Sequence, residues 1–263
     1  MPDRHPNAQL HPKFGDNSQS VGRVLFARIR QLIVQGQVNA AMLLLPTLER
    51  RGEDPGAIAA LSASIEFIKG NGARAKEIIS NGIAAYPENS ILLCFSAEIN
   101  LDEKNWVEAA KAASDAVVVD PRNATAKSIL GRALLELGHV SDAATCLREA
   151  LDDMPANFEA LAGLSRSAPT EAEDALRGIL QDSDAGSDSS REDDLRLRHL
   201  FISVLIERGA YKDATDQIRR LVADGRADLD TSLLAVQAAV GTGDWDEATS
   251  LFSNNTRNLP RHA

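Results

Sequence analysis

The chain has 263 residues, of which 44% are hydrophobic and 25% are charged, and this composition can support a buried core. Its net charge of −10 disfavours nucleic acid as the main partner, because an acidic protein repels the phosphate backbone. Aromatic residues make up only 4% of the chain, and this scarcity favours helices over strands.

The N-terminal segment, residues 1–21, has no apolar stretch of the kind that a signal peptide requires. We expect it to be a disordered tail. Residues 1–30 nevertheless carry five lysines and arginines against two aspartates. No stretch of the sequence approaches the roughly 20 apolar residues of a membrane-spanning helix. The sequence therefore predicts a cytoplasmic protein with no membrane insertion.

From residue 22 onward, several residue types recur at one constant spacing along the chain. This spacing equals the distance in sequence between Ala41 and Ala75. In the three clearest units the alanine also stands at a constant distance before a proline, as Ala75 does before Pro87. The C-terminal part repeats the pattern with its own pairs. The members of these series are Pro87, Pro121 and Pro155; Ala41, Ala75, Ala109 and Ala143; Gly36, Gly70 and Gly138, with Lys104 in the missing position; and, later, Gly209 and Gly243, Tyr211 and Trp245, Ala214 and Ala248.

Each period contains two apolar-periodic stretches that are joined by a polar turn, which predicts a helical hairpin. Glycine suits the position after a helix because it accepts a positive φ, and proline ends the second helix because it cannot donate a backbone hydrogen bond. A single hairpin cannot bury its own apolar face, so neighbouring hairpins are expected to stack and share a core. The sequence therefore predicts an all-α fold.

The segments LGHVSDAATCLREALDDMP and GDWDEATSLF show the pattern most clearly, and on these residues the chain resembles the tetratricopeptide repeat family. The resemblance covers about residues 22–260. It implies an α-α superhelix of antiparallel helix hairpins. We assign seven units: 22–55, 56–89, 90–123, 124–157, 158–194, 195–228 and 229–263.

The fifth unit is irregular, because its first helix is cut short at Ala168-Pro169, where a new helix is expected to start. The step from Ala143 to Ala214 exceeds two periods by three positions. The extra residues fall in the acidic segment QDSDAGSDSSREDD, for which we predict a flexible, solvated loop. The predicted organisation is a tail at 1–21, units one to five at 22–180, the loop at 181–194, and units six and seven at 195–263.

Chemistry-bearing motifs are not found in the sequence. The five histidines lack metal-ligand spacing, and no phosphate-binding loop, nucleophile elbow or zinc-protease motif occurs. The two cysteines, Cys94 and Cys146, are expected to be small buried residues rather than a disulfide. We therefore expect that the chain is not an enzyme and binds no cofactor or metal.

The resemblance implies that the first helix of each unit lines a concave groove. The groove positions of the family are the second, fifth, ninth, twelfth and thirteenth of each unit. Carried onto this sequence, they include the eight partner-binding candidates Phe26, Arg30, Ser64, Phe67, Cys94, Glu98, Ser128 and Arg132. The two-carboxylate clamp by which some relatives hold chaperone tails is absent, because Ala60, Ser64, Cys94 and Glu98 stand where Lys and Asn would be needed.

Two functions are consistent with this sequence. The first is a bacterial protein-interaction scaffold or adaptor that binds a protein or peptide in the groove. The second is the repeat portion of a larger methyltransferase, sulfotransferase or glycosyltransferase, or of a polysaccharide or pilus assembly machine. No extra solvating helix is evident after the seventh unit, so a homodimer through the C-terminal end is also allowed.

Overall fold

The computed structural model describes residues 17–184 and 191–246, and every regular element in these ranges is an α-helix. The described helices, in chain order, are α1 Asn17–Val34, α2 Val38–Arg50, α3 Pro55–Ile68, α4 Gly72–Ala85, α5 Ser90–Asp102, α6 Trp106–Val119, α7 Ala124–Glu136, α8 Val140–Asp153, α9 Phe158–Ser167, α10 Pro169–Asp184, α11 Arg191–Glu207, α12 Tyr211–Ala223 and α13 Leu229–Thr242.

The helices follow the predicted hairpins: odd-numbered helices are the first helices of units and even-numbered helices are the second. First helices also contact the first helix of the next unit, as α1 does with α3, α7 with α9, and α11 with α13. This packing confirms the all-α repeat fold. The helix start predicted near Ala168-Pro169 is confirmed, since α9 ends at Ser167 and α10 begins at Pro169. The second helix of the seventh unit would fall beyond residue 246, outside the described residues.

The chain divides into two compact units, residues 1–99 and 100–263. In the first unit, one core cluster joins α1, α2 and α3 around Ile29, Leu48 and Ile65. In the second unit, the largest cluster runs from Leu161 in α9 to Ala238 in α13. This second cluster spans both sides of the acidic segment, so the division of the chain does not coincide with that segment.

The predicted glycine series ends the first helices in a left-handed conformation. Gly36, Gly70, Gly138 and Gly243 have φ values of 69°, 83°, 82° and 81°. Lys104, which occupies the missing position, also has a positive φ, of 62°. A residue with a β-carbon pays a conformational cost there, about 1–2 kcal/mol.

Replacing Lys104 with glycine should therefore raise the free energy of unfolding by about 1 kcal/mol, because it removes this steric cost while adding some unfolded-state entropy. The reciprocal control is Gly138→Lys, since nothing lies within 4 Å of a β-carbon built at Gly138 and only the conformational cost would be felt. Urea denaturation of both variants checks the pair. A destabilised K104G protein would contradict the role assigned to this turn.

Two segment predictions need correction. The acidic segment 181–194 is not a loop throughout: α10 continues to Asp184 and α11 begins at Arg191, while residues 185–190 lie outside the described residues. The first turn of α11 holds Glu192, Asp193 and Asp194, and carboxylates there interact favourably with the helix dipole. The predicted tail at 1–21 also overlaps α1, which begins at Asn17, and residues 1–16 lie outside the described part.

Asp194 is buried and 2.9 Å from the guanidinium of Arg198, and it also pairs closely with Arg226 in the turn between α12 and α13. The composition of the segment suggested only solvated charge. The structure instead places this aspartate at the junction of three helices. None of the helices in the described residues is long and apolar enough to cross a membrane.

Candidate functional site: the first-helix face

The candidate site is the first-helix face, which we define as the second, fifth, ninth, twelfth and thirteenth positions of each unit. Three of the predicted residues on it, Ser64, Cys94 and Ser128, are buried. The hydroxyl of Ser64 donates to the carbonyl oxygen of Ala60 at 3.0 Å, and that of Ser128 donates to Thr125 at 2.9 Å. Such small side chains let neighbouring helices approach closely, and their burial leaves a partner little to contact.

The other predicted residues keep some exposed surface. In the first compact unit, Arg30 is exposed, while Phe26 and Phe67 are half-buried and pack against core clusters. Glu98, in α5, is also half-buried. Arg23 and Arg30 lie seven residues apart on the same side of α1, and Phe26 lies between them. This part of the face combines two exposed cations with one partly buried aromatic ring.

In the second compact unit, the first-helix face carries a reciprocal pair of ion pairs between α7 and α9. Arg132 of α7 lies 3.1 Å from Glu159 of α9, and Arg166 of α9 lies 2.7 Å from Glu136 of α7. These side chains are partly or largely exposed. Exposed ion pairs contribute only about 0–1 kcal/mol each, so a partner can exchange them at low cost.

The same face continues through α11 and α13. The guanidinium of Arg196 stacks over the ring of Phe158, 4.2 Å from its centroid, and thereby joins α11 to α9. His199 Nε2 lies 2.8 Å from the hydroxyl oxygen of Thr231 and joins α11 to α13. Polar contacts therefore link each of these first helices to the next.

Arg132 was identified from the sequence, whereas Glu159, Arg166 and Arg196 were missed. The sequence candidates came from the first four units only. Counting the same repeat positions from Phe158 would have identified Glu159 as the second and Arg166 as the ninth position of the fifth unit. Arg196 is likewise the second position of the sixth. The pairing itself could not be read from the sequence, because it depends on how α7 and α9 are aligned.

One group of possible metal ligands is present in the described residues: His199, Asp228 and Asp230 have ligand atoms within 4.8 Å of one another. Helix capping already uses one of these side chains, Asp228. Asp228 Oδ1 accepts from the backbone N–H of Thr231, and the Thr231 hydroxyl oxygen accepts from the backbone N–H of Asp228, which together form a capping box at the start of α13. The Thr231 hydroxyl also donates to Asp228 Oδ1, and His199 contacts the same hydroxyl. Burial raises the pKa of Asp228, but the hydrogen bonds from Thr231 and the nearby His199 outweigh this and hold the pKa below its usual value.

The thiol of Cys146 is half-buried on α8, and Cys94 is buried. Burial raises the pKa of Cys146, and the carboxylates of Glu149 and Asp142 act in the same direction. A raised pKa keeps the thiol protonated at neutral pH, and the protonated form is a poor nucleophile. Cys146 therefore has the character of a packing residue, as expected from the sequence.

Hairpins that repeat with a constant period and share core clusters define a helical-repeat protein. Residues 100–167 match the family model described as tetratricopeptide repeat. With the glycine, alanine and proline series in register over the other hairpins, the chain has a tetratricopeptide repeat fold.

Several solved structures share this fold. PilF from Pseudomonas aeruginosa is 14% identical, with a TM-score of 0.50 over 94% of this chain and 95% of that one. A tetratricopeptide repeat protein from Parabacteroides merdae is 14% identical, with a TM-score of 0.58 over 92% and 95%. PilW, a type IV pilus biogenesis factor, is 17% identical, with a TM-score of 0.62 over 78% and 94%. A sequence search of curated proteins finds no match. At these identities the likeness concerns the fold.

Proposed function

We propose that this protein is an interaction scaffold that binds a peptide or a protein segment on its first-helix face, and that it acts by binding rather than by catalysis. The observation that carries the proposal is the exposed ladder of Arg132, Glu136, Glu159 and Arg166 across α7 and α9. Its charges alternate along adjacent helices, and a partner with complementary charges can replace these pairs without opening the core.

A photo-crosslinking residue placed at Arg132 or Arg166 tests this proposal in native cells. The matched controls are Lys111 and Arg148, which are exposed on the second helices α6 and α8. We expect the same protein to be captured from both first-helix positions and from neither control. Capture from the second helices alone would contradict the proposal.

The affinity of that captured partner should then depend on the ladder. Reversing one charge, as in Arg132→Glu, should weaken binding about tenfold, since single interface charges commonly contribute about 1.4 kcal/mol or more. The fold should survive, because exposed pairs contribute little to stability. Calorimetry measures the affinity and circular dichroism checks the fold. Unchanged affinity in both Arg132→Glu and Glu159→Arg would rule the ladder out as the contact surface.

A second candidate is a part in a larger assembly, such as a pilus assembly machine, a sulfotransferase, a methyltransferase or a glycosyltransferase. The likeness in fold to PilW, a type IV pilus biogenesis factor, favours the pilus system among these. Deletion of the gene would then abolish surface pili, and the photo-crosslinked partner would be a pilus assembly component. Normal piliation in the deletion strain would contradict this candidate.

A further inference from the structure

An exposed apolar stripe runs along α13, on the side turned away from the core. We define the α13 stripe as Leu229, Leu233, Val236 and Val240, which are spaced by four, three and four residues. Leu229, Leu233 and Val240 are 48%, 47% and 41% exposed, and Val236 is half-buried. The opposite side of the helix holds the buried residues Thr231, Leu234, Ala235, Ala238 and Ala239.

The equivalent residues one repeat period earlier, on α11, lie at an interface between helices. On α11 the equivalent residues are Leu195, His199, Ile202 and Ile206. Ile202 is fully buried in the core cluster that contains Leu234 and Ala238 of α13, Leu195 and Ile206 pack against that cluster, and His199 contacts Thr231. The row on α11 is thus packed against neighbouring helices, and both α12 and α13 contribute to the cluster. On α13, three of the four residues in this row, Leu229, Leu233 and Val240, are exposed, so they offer an apolar surface to another helix.

The chain segment that carries the stripe is acidic. Residues 227–246 contain four aspartates and no lysine, arginine or histidine. Residues 100–263 as a whole carry 18 lysines and arginines against 29 aspartates and glutamates, a net charge of −11, whereas residues 1–99 carry 10 against 9. A helix that docks on α13 is therefore favoured electrostatically when its flanks are basic.

A second copy of this chain is a poorer occupant. Pairing of two α13 helices would bring two clusters of aspartates together without any cation from residues 227–246, and like charges repel. A basic amphipathic helix fits both the exposed apolar stripe and the acidic segment that carries it. Its apolar residues would cover the stripe, and its lysines and arginines would face the aspartates. Helix-in-groove recognition of this kind uses anchors at i, i+3 or i+4, and i+7.

We propose that the α13 stripe, which includes Leu233 and Val240 of the first-helix face, is a second binding surface at a different place from the proposed α7–α9 ladder, and that it docks an amphipathic helix with basic flanks. The apolar residues supply the affinity, and the aspartates, Asp230 foremost, select for a basic partner over an acidic one.

The test uses the full chain and three synthetic helical peptides: one with leucines at the stripe spacing and lysine and arginine flanks, one with the same leucines and glutamate flanks, and one with the basic sequence scrambled. Fluorescence anisotropy measures their binding. We expect the basic peptide to bind at least about tenfold more tightly than either of the others, which corresponds to about 1.4 kcal/mol. Equal binding of the basic and acidic peptides, or no binding of the basic one, would overturn the proposal.

Variants locate the site. Leu233→Gln should weaken binding of the basic peptide about tenfold or more, since it removes the burial of one leucine. Val118→Gln on α6 is the matched control, because this valine is 78% exposed and lies on a second helix. Asp230→Asn should reduce the preference for the basic peptide over the acidic one. Unchanged affinity in Leu233→Gln would exclude the stripe.

Two alternative occupants have distinct signatures. If a second copy covers the stripe, sedimentation of the chain alone will show a dimer that Leu233→Gln dissociates. If residues 247–263 cover it, removing them will create binding of the basic peptide where the intact chain has none. Either result overturns the proposal. Arg132→Glu should leave peptide binding unchanged, so that failure of the ladder and failure of the stripe are distinguishable.

Discussion

Replacing Leu147 with alanine is expected to lower the free energy of unfolding by about 3–5 kcal/mol. Leu147 is fully buried on α8, and two glycines of neighbouring first helices hold it closely. A β-carbon at Gly131 would lie 2.6 Å from Leu147 Cγ, and one at Gly163 would lie 2.9 Å from both of its methyl carbons. Truncation leaves a cavity at the contact of three helices, and urea denaturation measures the loss.

A double variant at Leu147 and Gly131, one of the two glycines that face it, tests the same contact more specifically. Gly131→Ala alone should destabilise the chain by about 1–3 kcal/mol, because the new methyl group overpacks the core. In the double variant Gly131→Ala/Leu147→Ala, the methyl group enters the vacated space, so the combined cost should fall below the sum of the single costs. Leu43→Ala is the control, since Leu43 is 80% exposed. Strict additivity would mean that the two residues do not share a contact.

The second large effect is expected at Asp194. Replacing it with asparagine should destabilise the chain by about 3–5 kcal/mol, the usual cost of breaking a buried ion pair, because Arg198 and Arg226 lose their shared carboxylate. The side chains of Asp194 and Arg198 are only 8% and 10% exposed, so solvent cannot replace the lost partner. Chemical denaturation of the full-length variant gives the value.

The control for Asp194 is its neighbour Glu192, which is exposed in the same helical turn. Glu192→Gln should change the stability by less than about 0.5 kcal/mol, as surface substitutions usually do. If the two variants were equally stable, Asp194 would be part of a solvated segment, as its sequence context suggested, and its pairing with Arg226 would be wrong.

The repeat fold was predictable because its determinants are local and periodic. Glycine ends the first helix of a hairpin at the repeat position of Gly70 and Gly138. Alanine at the repeat position of Ala143 permits the close packing of the two helices of a hairpin. The one exception could also be located from the sequence, because Lys104 occupies a glycine position of the repeat. It adopts the same positive φ as the glycines. One constant period, found independently on several residue types, is therefore sufficient to define the hairpins.

The candidate site was predictable only in part, because it depends on contacts between residues far apart in sequence. Ser64 and Ser128 occupy repeat positions that face a partner in the family, yet here neighbouring helices bury them. The pairing of Arg166 with Glu136 requires the alignment of α7 with α9. Asp194 pairs with Arg226, which lies in the turn that follows the next helix along the chain, α12. The charged neighbours of Asp194 in the sequence predicted a solvated side chain. Its ion pairs with residues that are close in the fold give it a structural role instead.

We propose that partners bind this protein on the first helices of its hairpins. Amide hydrogen exchange of the full chain, with and without the partner captured through Arg132, tests it most directly. We expect slowed exchange in the first helices, α7 and α9 above all, and unchanged exchange in the second helices α6 and α8. Protection of α6 and α8 with no change in α7 and α9 would contradict it.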